Sequence, residues 1–309
     1  MSAGAESSLL AVPNLSAGPA RDVLGPLEEA FSSSAALLDC HSDAIHGRTV
    51  LTLAGPPAGL VDALVAGAEA AIELIDLNQH SGAHPRIGAL DVAPIVYVEA
   101  DHEGAAEAAA RDLGPALGAL GLPVFLYGAL AGSPGRSERH HFRGGGVEAL
   151  GERMRAGELE PDYGPPSPHP TAGAVLVTAR PPLAAFNVEL TGVTAEDGGE
   201  IAAALREAGG GLPGVRAIAI GLDGGRVQIS TNIHDPAAVP LGAVVAEIRR
   251  LAIPFGGRAV AAELIGLVPE AALSGYPAEV PIRGFDPDQR TIEARLQELA
   301  PRQGLGGEG

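Results

Sequence analysis

Hydrophobic and polar positions in the first part of the chain switch repeatedly between two patterns. Short apolar or alternating runs, such as RTVLTLAG at 48–55, predict strands, and longer alanine-rich stretches, such as 57–75, predict helices. The other predicted strands lie at 9–14, 36–43, 92–100 and 123–128, and the other predicted helices at 20–31 and 103–120. Strands that alternate with helices are typical of an α/β fold.

This pattern is lost between residues 128 and 173. Glycine, proline and charged residues dominate there, as in ALAGSPGRSERHHFRGGG and EPDYGPPSPHPTAG. Long irregular regions inside a compact chain are usually functional or disordered. Because this region concentrates His, Arg, Asp and Tyr side chains, we expect it to contribute to a functional site.

A second unit is predicted after ARPP at 179–182. Its strands are predicted at 183–190, 215–222, 226–232 and 258–264, and its helices at 196–208 and 241–252. The resulting order, βαββαβ, is that of the ferredoxin-like split motif. We therefore expect two domains, 1–182 and 183–309, with helices near 269–275 and 286–300 closing the second.

Composition narrows the classes of function. All 20 basic residues are arginine, which excludes Schiff-base chemistry on lysine, enzyme-bound pyridoxal phosphate and a P-loop. A formal charge of −18 and the absence of tryptophan argue against a nucleic-acid partner. The single cysteine, Cys40, excludes an intrachain disulfide and a cysteine-rich zinc site. With no long apolar run and no secretory signal pattern, we expect a cytoplasmic protein without a membrane partner.

Two motifs match known sites only in form. GGGLPG at 209–214 fits GxGxxG, but it follows a predicted helix and precedes a strand, which is the reverse of a dinucleotide-binding turn. His80 and His84 have the spacing of two zinc ligands on one helix, but Gly82 and Pro85 disfavour a helix there. We therefore expect neither a dinucleotide nor a metal ion.

Two polar clusters remain as candidate chemistry. The segment NQHSGAHPRIGALDVAP, 78–94, places His84 in a glycine-rich loop with an arginine and an aspartate, and histidine is well suited to proton transfer near neutral pH. On the preceding strands, LDCHSDAIHGRTV contains Asp39, His41 and Arg48. Asp39 and His41 alternate with apolar residues and would share one face of a strand.

These motifs together resemble the glutamate formiminotransferase family. The resemblance rests on VPNLSAG, LDCHSDAIHGRTV, GAHPRIGALDVAP, PDYGP, HPTAGA, ARPPLAAFNVEL, QISTNIHD and ELIGLVP, which occur in the order seen in that family and cover about residues 9–275. It implies two α/β subdomains with mixed sheets and helices, a folate groove between them and a homodimer. The chain looks like a free-standing bacterial member without the cyclodeaminase domain.

The resemblance also implies roles for individual residues. The histidine of the family's His-Pro-Arg motif falls on His84, and the folate-contacting stretch falls on PDYGPPSPHP, 161–170. The residues of that stretch expected to bind substrate are Asp162, Tyr163, Gly164, Pro165 and His169. Gly47 stands where the family usually has Asn, and HHFRGGGVEAL, which contains Arg143, keeps only part of a more basic family segment.

The implied reaction transfers a formimino group from N-formimino-L-glutamate to N5 of tetrahydrofolate, the co-substrate, in one-carbon metabolism and histidine degradation. We expect His84 to act as general base and then general acid, and Asp39 to stabilise the cationic formimino group. Both substrates carry carboxylates, which suit arginine forks. The side chains expected to bind substrate through such contacts are Arg48, Arg86 and Arg180, with His41 beside them.

Three alternatives stay open on the sequence alone. A formyltransferase that uses 5-formyl-tetrahydrofolate and glutamate would share the same motifs. An inactive folate-binding homologue would keep the fold and the anion-binding residues. A metal-dependent hydrolase built on the histidines would require a metal ion, which none of the motifs above predicts.

Overall fold

The computed structural model describes residues 9–82 and 85–299. These residues form two compact units that divide between Pro181 and Pro182. We call them unit 1 and unit 2 and describe each by itself. Among the described residues, no helix is both long enough and apolar enough to cross a membrane.

Unit 1 is a mixed sheet with helices on both faces. Its strands are β1 (Leu9–Ala11), β2 (Asn14–Leu15), β3 (Ala36–Asp43), β4 (Arg48–Gly55), β5 (Leu90–Val96), β6 (Val124–Leu126) and β7 (Val175–Arg180). Its helices are α1 (Arg21–Phe31), α2 (Pro57–Leu74), α3 (Glu103–Ala119), α4 (His140–Arg143) and α5 (Gly146–Arg155). The α/β class predicted for this part of the chain is confirmed.

The strand order of unit 1 contains a second copy of the split motif. β1 and β2 both lie between β4 and β5, so they act as one strand that is interrupted around Pro13, a residue without a backbone N–H. From β1 to β5 the elements run βαββαβ in the spatial order β3, β4, β1/β2, β5. β7 and β6 then extend this sheet in parallel with β5.

Burial distinguishes the two faces of this sheet. Leu27, Leu64 and Leu113 from α1, α2 and α3 pack with alternate strand residues such as Leu51 and Val177, which makes this face the main core. On the opposite face, α4 and α5 cover only the end formed by β5, β6 and β7. The smaller core at that end is formed mainly by Phe142, Leu150, Met154, Val92, Phe125 and Leu176. The polar part of this second face is where the candidate site lies.

Several predicted elements of unit 1 differ from the structure. β7 was not predicted, although it lies between β5 and β6, because its apolar run falls between the irregular region and the expected start of the second unit. α5 was also missed, since it begins at Gly146 directly after Gly145, and the positive φ values of these two residues, 71° and 78°, suit a turn. The predicted strand at 92–100 is shifted to Leu90–Val96.

Unit 2 is a ferredoxin-like antiparallel sheet, as predicted. Its strands are β8 (Ala184–Thr191), β9 (Val215–Leu222), β10 (Arg226–Ile233) and β11 (Arg258–Ile265), in the order β11, β8, β10, β9. Its helices are α6 (Ala195–Leu205), α7 (Leu241–Ala252), α8 (Pro287–Arg290) and α9 (Ile292–Leu299). The predicted helix at 269–275 is only a short 3₁₀ turn, Glu270–Leu273.

The split motif of unit 2 follows from strand alternation and helix capping. Phe186, Val188 and Leu190 alternate along β8 and pack into one core with α6 and α7. Thr194 and Asp197 form a reciprocal capping box at the start of α6, which satisfies backbone N–H groups that have no partner within the helix. Because each strand shows only one face to the helices, the other face of the sheet carries polar side chains.

Candidate functional site

The polar part of the second face of unit 1 is built by strand pairing. In the antiparallel pair of β3 and β4, Asp39 lies opposite Thr52, His41 opposite Val50 and Asp43 opposite Arg48. Residues directly opposite in such a pair point to the same face. The structure therefore places Asp39, His41 and Arg48 on one face, as the alternation predicted for Asp39 and His41.

A buried carboxylate, Asp91, is the centre of this face. Its side chain is 0% exposed, and its Oδ2 accepts hydrogen bonds from Arg48 Nη1 at 3.1 Å and from Arg143 Nη2. Its Oδ1 accepts a 2.8 Å hydrogen bond from the backbone N–H of Ile87. The pairing of β2 with β5 skips Asp91, and such irregularities re-aim a side chain relative to its neighbours.

Arg48 donates hydrogen bonds to Asn14 as well as to Asp91. Besides its bond to Asp91, it donates from Nε and Nη2 to Asn14 Oδ1 at 3.2 and 2.6 Å. Burial lowers the pKa of the Arg48 guanidinium to about 10, and the charge of Asp91 opposes that shift. Arg48 thus stays a cation at neutral pH in a fixed orientation.

Arg48 belongs to a group of four arginines in which each lies close to at least one other. Arg143 is nine-tenths buried against Asp91. Arg180, at the end of β7, has its pKa lowered to about 10 by burial, with Tyr127 hydrogen-bonded to it. The charge of Arg139 lowers the pKa of Arg48, Arg143 and Arg180, so Arg139 lies close to all three. We call Arg48, Arg139, Arg143 and Arg180 the arginine cluster.

The arginine cluster carries more positive charge than Asp91 neutralises. The side chain of Arg139 makes no hydrogen bond or ion pair with any residue in 9–82 or 85–299. A group of guanidinium ions around a single carboxylate favours binding of an additional anion. In a chain with a formal charge of −18, this is a strong local reversal of sign.

Asp39 and His41 lie on the same face as Arg48, with His41 nearer to it along the strands and Asp39 farther away. His41 is opposite Val50, two residues along β4 from Arg48, and Asp39 is opposite Thr52, four residues along. At about 3.3 Å per residue these offsets are about 7 and 13 Å.

The segment before His84 is held by its own contacts. His80 Nε2 lies 2.8 Å from the carbonyl oxygen of Gly47, and burial lowers the pKa of His80, which favours the neutral imidazole. Arg86, predicted to bind a substrate carboxylate, donates to the carbonyls of His80 at 2.9 Å and Gly82 at 3.3 Å. Ala83 and His84, the latter being the predicted catalytic residue, lie outside the described residues.

Gly47 is explained by the same contacts. Its φ is +59°, and a Cβ atom there would lie 2.6 Å from the carbonyl oxygen of Ser81 and 2.9 Å from the His80 ring. Any larger residue would displace the segment before His84. The departure at this position from the usual Asn therefore matches the close approach of the 80–82 backbone.

The segment 161–170 makes a different set of contacts. Asp162 pairs with Arg136 at 2.5 Å and accepts a 2.8 Å bond from the N–H of Leu126. Tyr163 packs against Gly114 and Gly118 of α3, on the face opposite the arginine cluster. The structure therefore does not bring the Tyr163 ring to the cluster.

Three other predicted residues of this segment lie near the same edge of unit 1. Gly164 has a φ of +83° and approaches the carbonyl oxygen of Leu122. Pro165 is half-buried, and His169 Nδ1 accepts a 3.1 Å hydrogen bond from the N–H of Ala172. These contacts position the loop itself.

Sequence reasoning noted the aspartate of 78–94, which is Asp91, beside His84 but did not assign it to the site; it did not identify Arg139 and did not place Arg143. Asp91 carries a usable signal, because it is the one charged residue in LDVAPIV and every residue of that strand is buried. A charge in a fully buried strand requires a partner of opposite sign. Arg139 and Arg143 carry no such signal, since they come from the glycine-rich region.

The described part of the chain shows no candidate metal-binding site. Residues 9–82 and 85–299 contain no group of three or more His, Cys, Asp or Glu side chains arranged to hold an ion.

Comparison with known proteins identifies relatives of both units. Residues 8–180 match the family model described as the formiminotransferase domain, N-terminal subdomain, and residues 185–276 match that of the formiminotransferase domain. A glutamate formimidoyltransferase of Thermoplasma acidophilum is 36% identical over 94% of this chain and 97% of its own length. One of Streptococcus pyogenes serotype M1 is 34% identical over 92% of this chain and 97% of its own length. The formimidoyltransferase-cyclodeaminase of Sus scrofa is 38% identical, and the match spans 61% of that longer protein.

Proposed function

This chain belongs to the formiminotransferase family, and we propose that its arginine cluster binds the glutamate part of a substrate during formimino transfer. The reaction moves a formimino group from N-formimino-L-glutamate to tetrahydrofolate. The bond between the formimino carbon and the glutamate nitrogen breaks, and a bond from that carbon to N5 of tetrahydrofolate forms. The products are L-glutamate and 5-formimino-tetrahydrofolate.

The observation that carries the proposal is the arginine cluster, in which Arg139 lies close to the other three guanidinium groups and Asp91 pairs with two of them. N-formimino-L-glutamate carries two carboxylates, and the folate co-substrate also ends in a glutamate. A net negative chain repels such anions unless a local positive site attracts them. The arginine cluster supplies that site, with Arg139 as a cation that lacks a partner in the described residues.

For the chemical step, we propose His84 as the base that accepts the N5 proton and the acid that returns it to the departing glutamate nitrogen. One imidazole serves both half-reactions because histidine exchanges protons near neutral pH. Asp39 is proposed to stabilise the cationic formimino group. Asp39 lies on the same face as Arg48, about 13 Å along the strand.

The proposal for the folate site and assembly follows the family resemblance. Tetrahydrofolate is proposed as co-substrate without a metal ion, and residues 161–170 as part of its site. We also propose a cytoplasmic homodimer that serves histidine degradation. Light scattering of the purified protein at several concentrations tests the dimer, since a monomer mass of 31.0 kDa at all of them would refute it.

The first experiment measures formimino transfer by wild type, His84→Ala and a matched control, His102→Ala. General acid–base catalysis contributes about 10²- to 10⁴-fold, so His84→Ala should lose that factor in kcat. His102 lies in a 3₁₀ turn before α3, and its replacement should leave the rate unchanged. A His84→Ala variant that keeps more than a tenth of the wild-type kcat would contradict the assignment.

A parallel assay distinguishes the donor. Wild-type protein is given 5-formyl-tetrahydrofolate with L-glutamate in place of the formimino pair. Faster turnover of the formyl pair would replace formimino transfer with formyl transfer. Tight folate binding without either reaction would indicate an inactive homologue.

A further inference from the structure

The two carboxylate oxygens of Asp91 accept hydrogen bonds from different parts of unit 1. Oδ2 receives the guanidinium groups of Arg48 and Arg143, whereas Oδ1 receives the backbone N–H of Ile87. We propose that Asp91 is a positioning residue that ties the arginine cluster to the backbone following His84. This inference rests on the proposed function, because the arginine cluster is the anion site proposed there and the backbone at Ile87 follows His84 in the chain.

The backbone that Asp91 holds is anchored on its other side as well. Ile87 is fully buried, and its carbonyl accepts a 2.8 Å bond from the N–H of Ala174. The carbonyl of Gly88 accepts a 2.7 Å bond from Ser16 Oγ. Asp91 thus fastens a segment that is already fixed to β7, and Ile87 lies three residues after His84 in the chain.

The arginines are the second part of the connection. Arg48 comes from β4 and Arg143 from the end of α4, and their separations from Asp91 along the chain are 43 and 52 residues. Two like charges held on a single oxygen would repel each other if that oxygen lost its charge. Oδ2 therefore offsets the repulsion between the two cations, while Asn14 also helps to hold Arg48.

This division of roles allows two substitutions to be compared. Asp91→Asn keeps an oxygen for the Ile87 N–H but puts an NH₂ group against two guanidinium ions. Asp91→Ala removes both acceptors. A buried ion pair with only a structural role would lose stability in both variants without separating the kinetic constants.

The experiment determines kcat and KM for each substrate with wild type, Asp91→Asn and Asp91→Ala. Hydrogen bonds between charged groups contribute strongly to binding free energy. Asp91→Asn should therefore raise KM for the bound anion about 10- to 150-fold and leave kcat largely unchanged. Asp91→Ala should also lower kcat about 100-fold, because displacement of the His84 segment by about 1 Å has that effect. The substrate whose KM rises identifies which glutamate the cluster binds.

Two controls separate positioning from loss of fold. Ile248→Val, in the core of unit 2, lowers stability without touching this site and should leave both kinetic constants unchanged. Hydrogen exchange at the Ile87 amide should quicken by about tenfold or more in Asp91→Ala and stay near the wild-type rate in Asp91→Asn. The exchange measurement requires no catalytic activity.

The outcomes are distinguishable. Asp91→Asn kinetics within twofold of wild type, or equal Ile87 exchange in Asp91→Ala and wild type, would overturn the positioning role. A wild-type protein without transfer activity would refute the proposed function instead, and the exchange comparison would then decide the role of Asp91 alone.

Discussion

Replacement of Arg143 by Met tests whether the buried charges of the candidate site depend on one another. Asp91 is 0% exposed and Arg143 10%, so the pair is shielded from water. Loss of one partner of a buried ion pair costs about 3–5 kcal/mol, because the other charge is left without compensation. Arg48 and the Ile87 N–H still bind Asp91 in the variant. We therefore expect Arg143→Met to destabilise unit 1 by about 3 kcal/mol, at the lower end of that range.

The double variant with Asp91→Asn makes the test specific. If the cost of Arg143→Met comes from an uncompensated carboxylate, removal of that charge should recover part of it. Contacting residues in one network typically show interaction energies of about 0.5–3 kcal/mol. We expect the double variant to be less destabilised than the sum of the two single variants by about 1–3 kcal/mol.

Urea unfolding followed by tyrosine fluorescence is the appropriate assay. The chain has no tryptophan, and three of its four tyrosines, Tyr97, Tyr127 and Tyr163, belong to unit 1. Far-UV circular dichroism reports both units and shows whether they unfold in one transition. Arg143→Met within about 0.5 kcal/mol of wild type, or single-variant effects that add within about 0.5 kcal/mol, would refute the reasoning.

Two further predictions concern the backbone and the pH dependence of unit 1. A Cβ atom at Gly88 would lie 1.9 Å from the carbonyl oxygen of Ala174, so Gly88→Ala should lower Tm strongly. Gly104, in α3, has open space around it, so the control Gly104→Ala should raise Tm slightly. Equal Tm values for the two variants would contradict the close approach at Gly88. The hydrogen bond from His46 lowers the pKa of Asp43 in the folded protein. The stability that this provides is complete above the unfolded-state pKa of about 3.9, and it is lost as the pH falls through the lower folded-state pKa. Asp43→Asn should therefore lose stability less steeply than wild type below about pH 4 in acid unfolding curves, and parallel curves would argue against it.

Local periodicity was sufficient for elements that present one face to a core. β9 and β10 begin and end within a residue of their predicted bounds, because one-sided burial produces the alternation that the sequence displays. The ferredoxin-like order of unit 2 followed from the same signal. β7 and α5 were missed because glycine and proline around them obscure a pattern that tertiary packing completes.

The candidate site was only partly predictable, and the unpredicted part is the part assembled across the chain. Arg48 was expected to bind an anion, and the structure adds a fixed orientation through Asn14 and Asp91. Arg86 was expected to do the same, yet its guanidinium lies against the carbonyls of His80 and Gly82. Composition could indicate that arginines bind carboxylates, but not which arginines have their donors already engaged.

The sequence by itself determined the fold class, the split motif of unit 2 and the resemblance to a family, because these depend on residue type and on spacing over a few residues. Only the tertiary structure decided that Asp91 joins Arg48, Arg143 and the Ile87 backbone, which are 43, 52 and 4 residues away along the chain. Such contacts depend on strand pairing and on an irregular register between β2 and β5. A charged residue in an apolar strand predicts that a partner is needed, but only the packed chain brings particular partners within hydrogen-bonding distance.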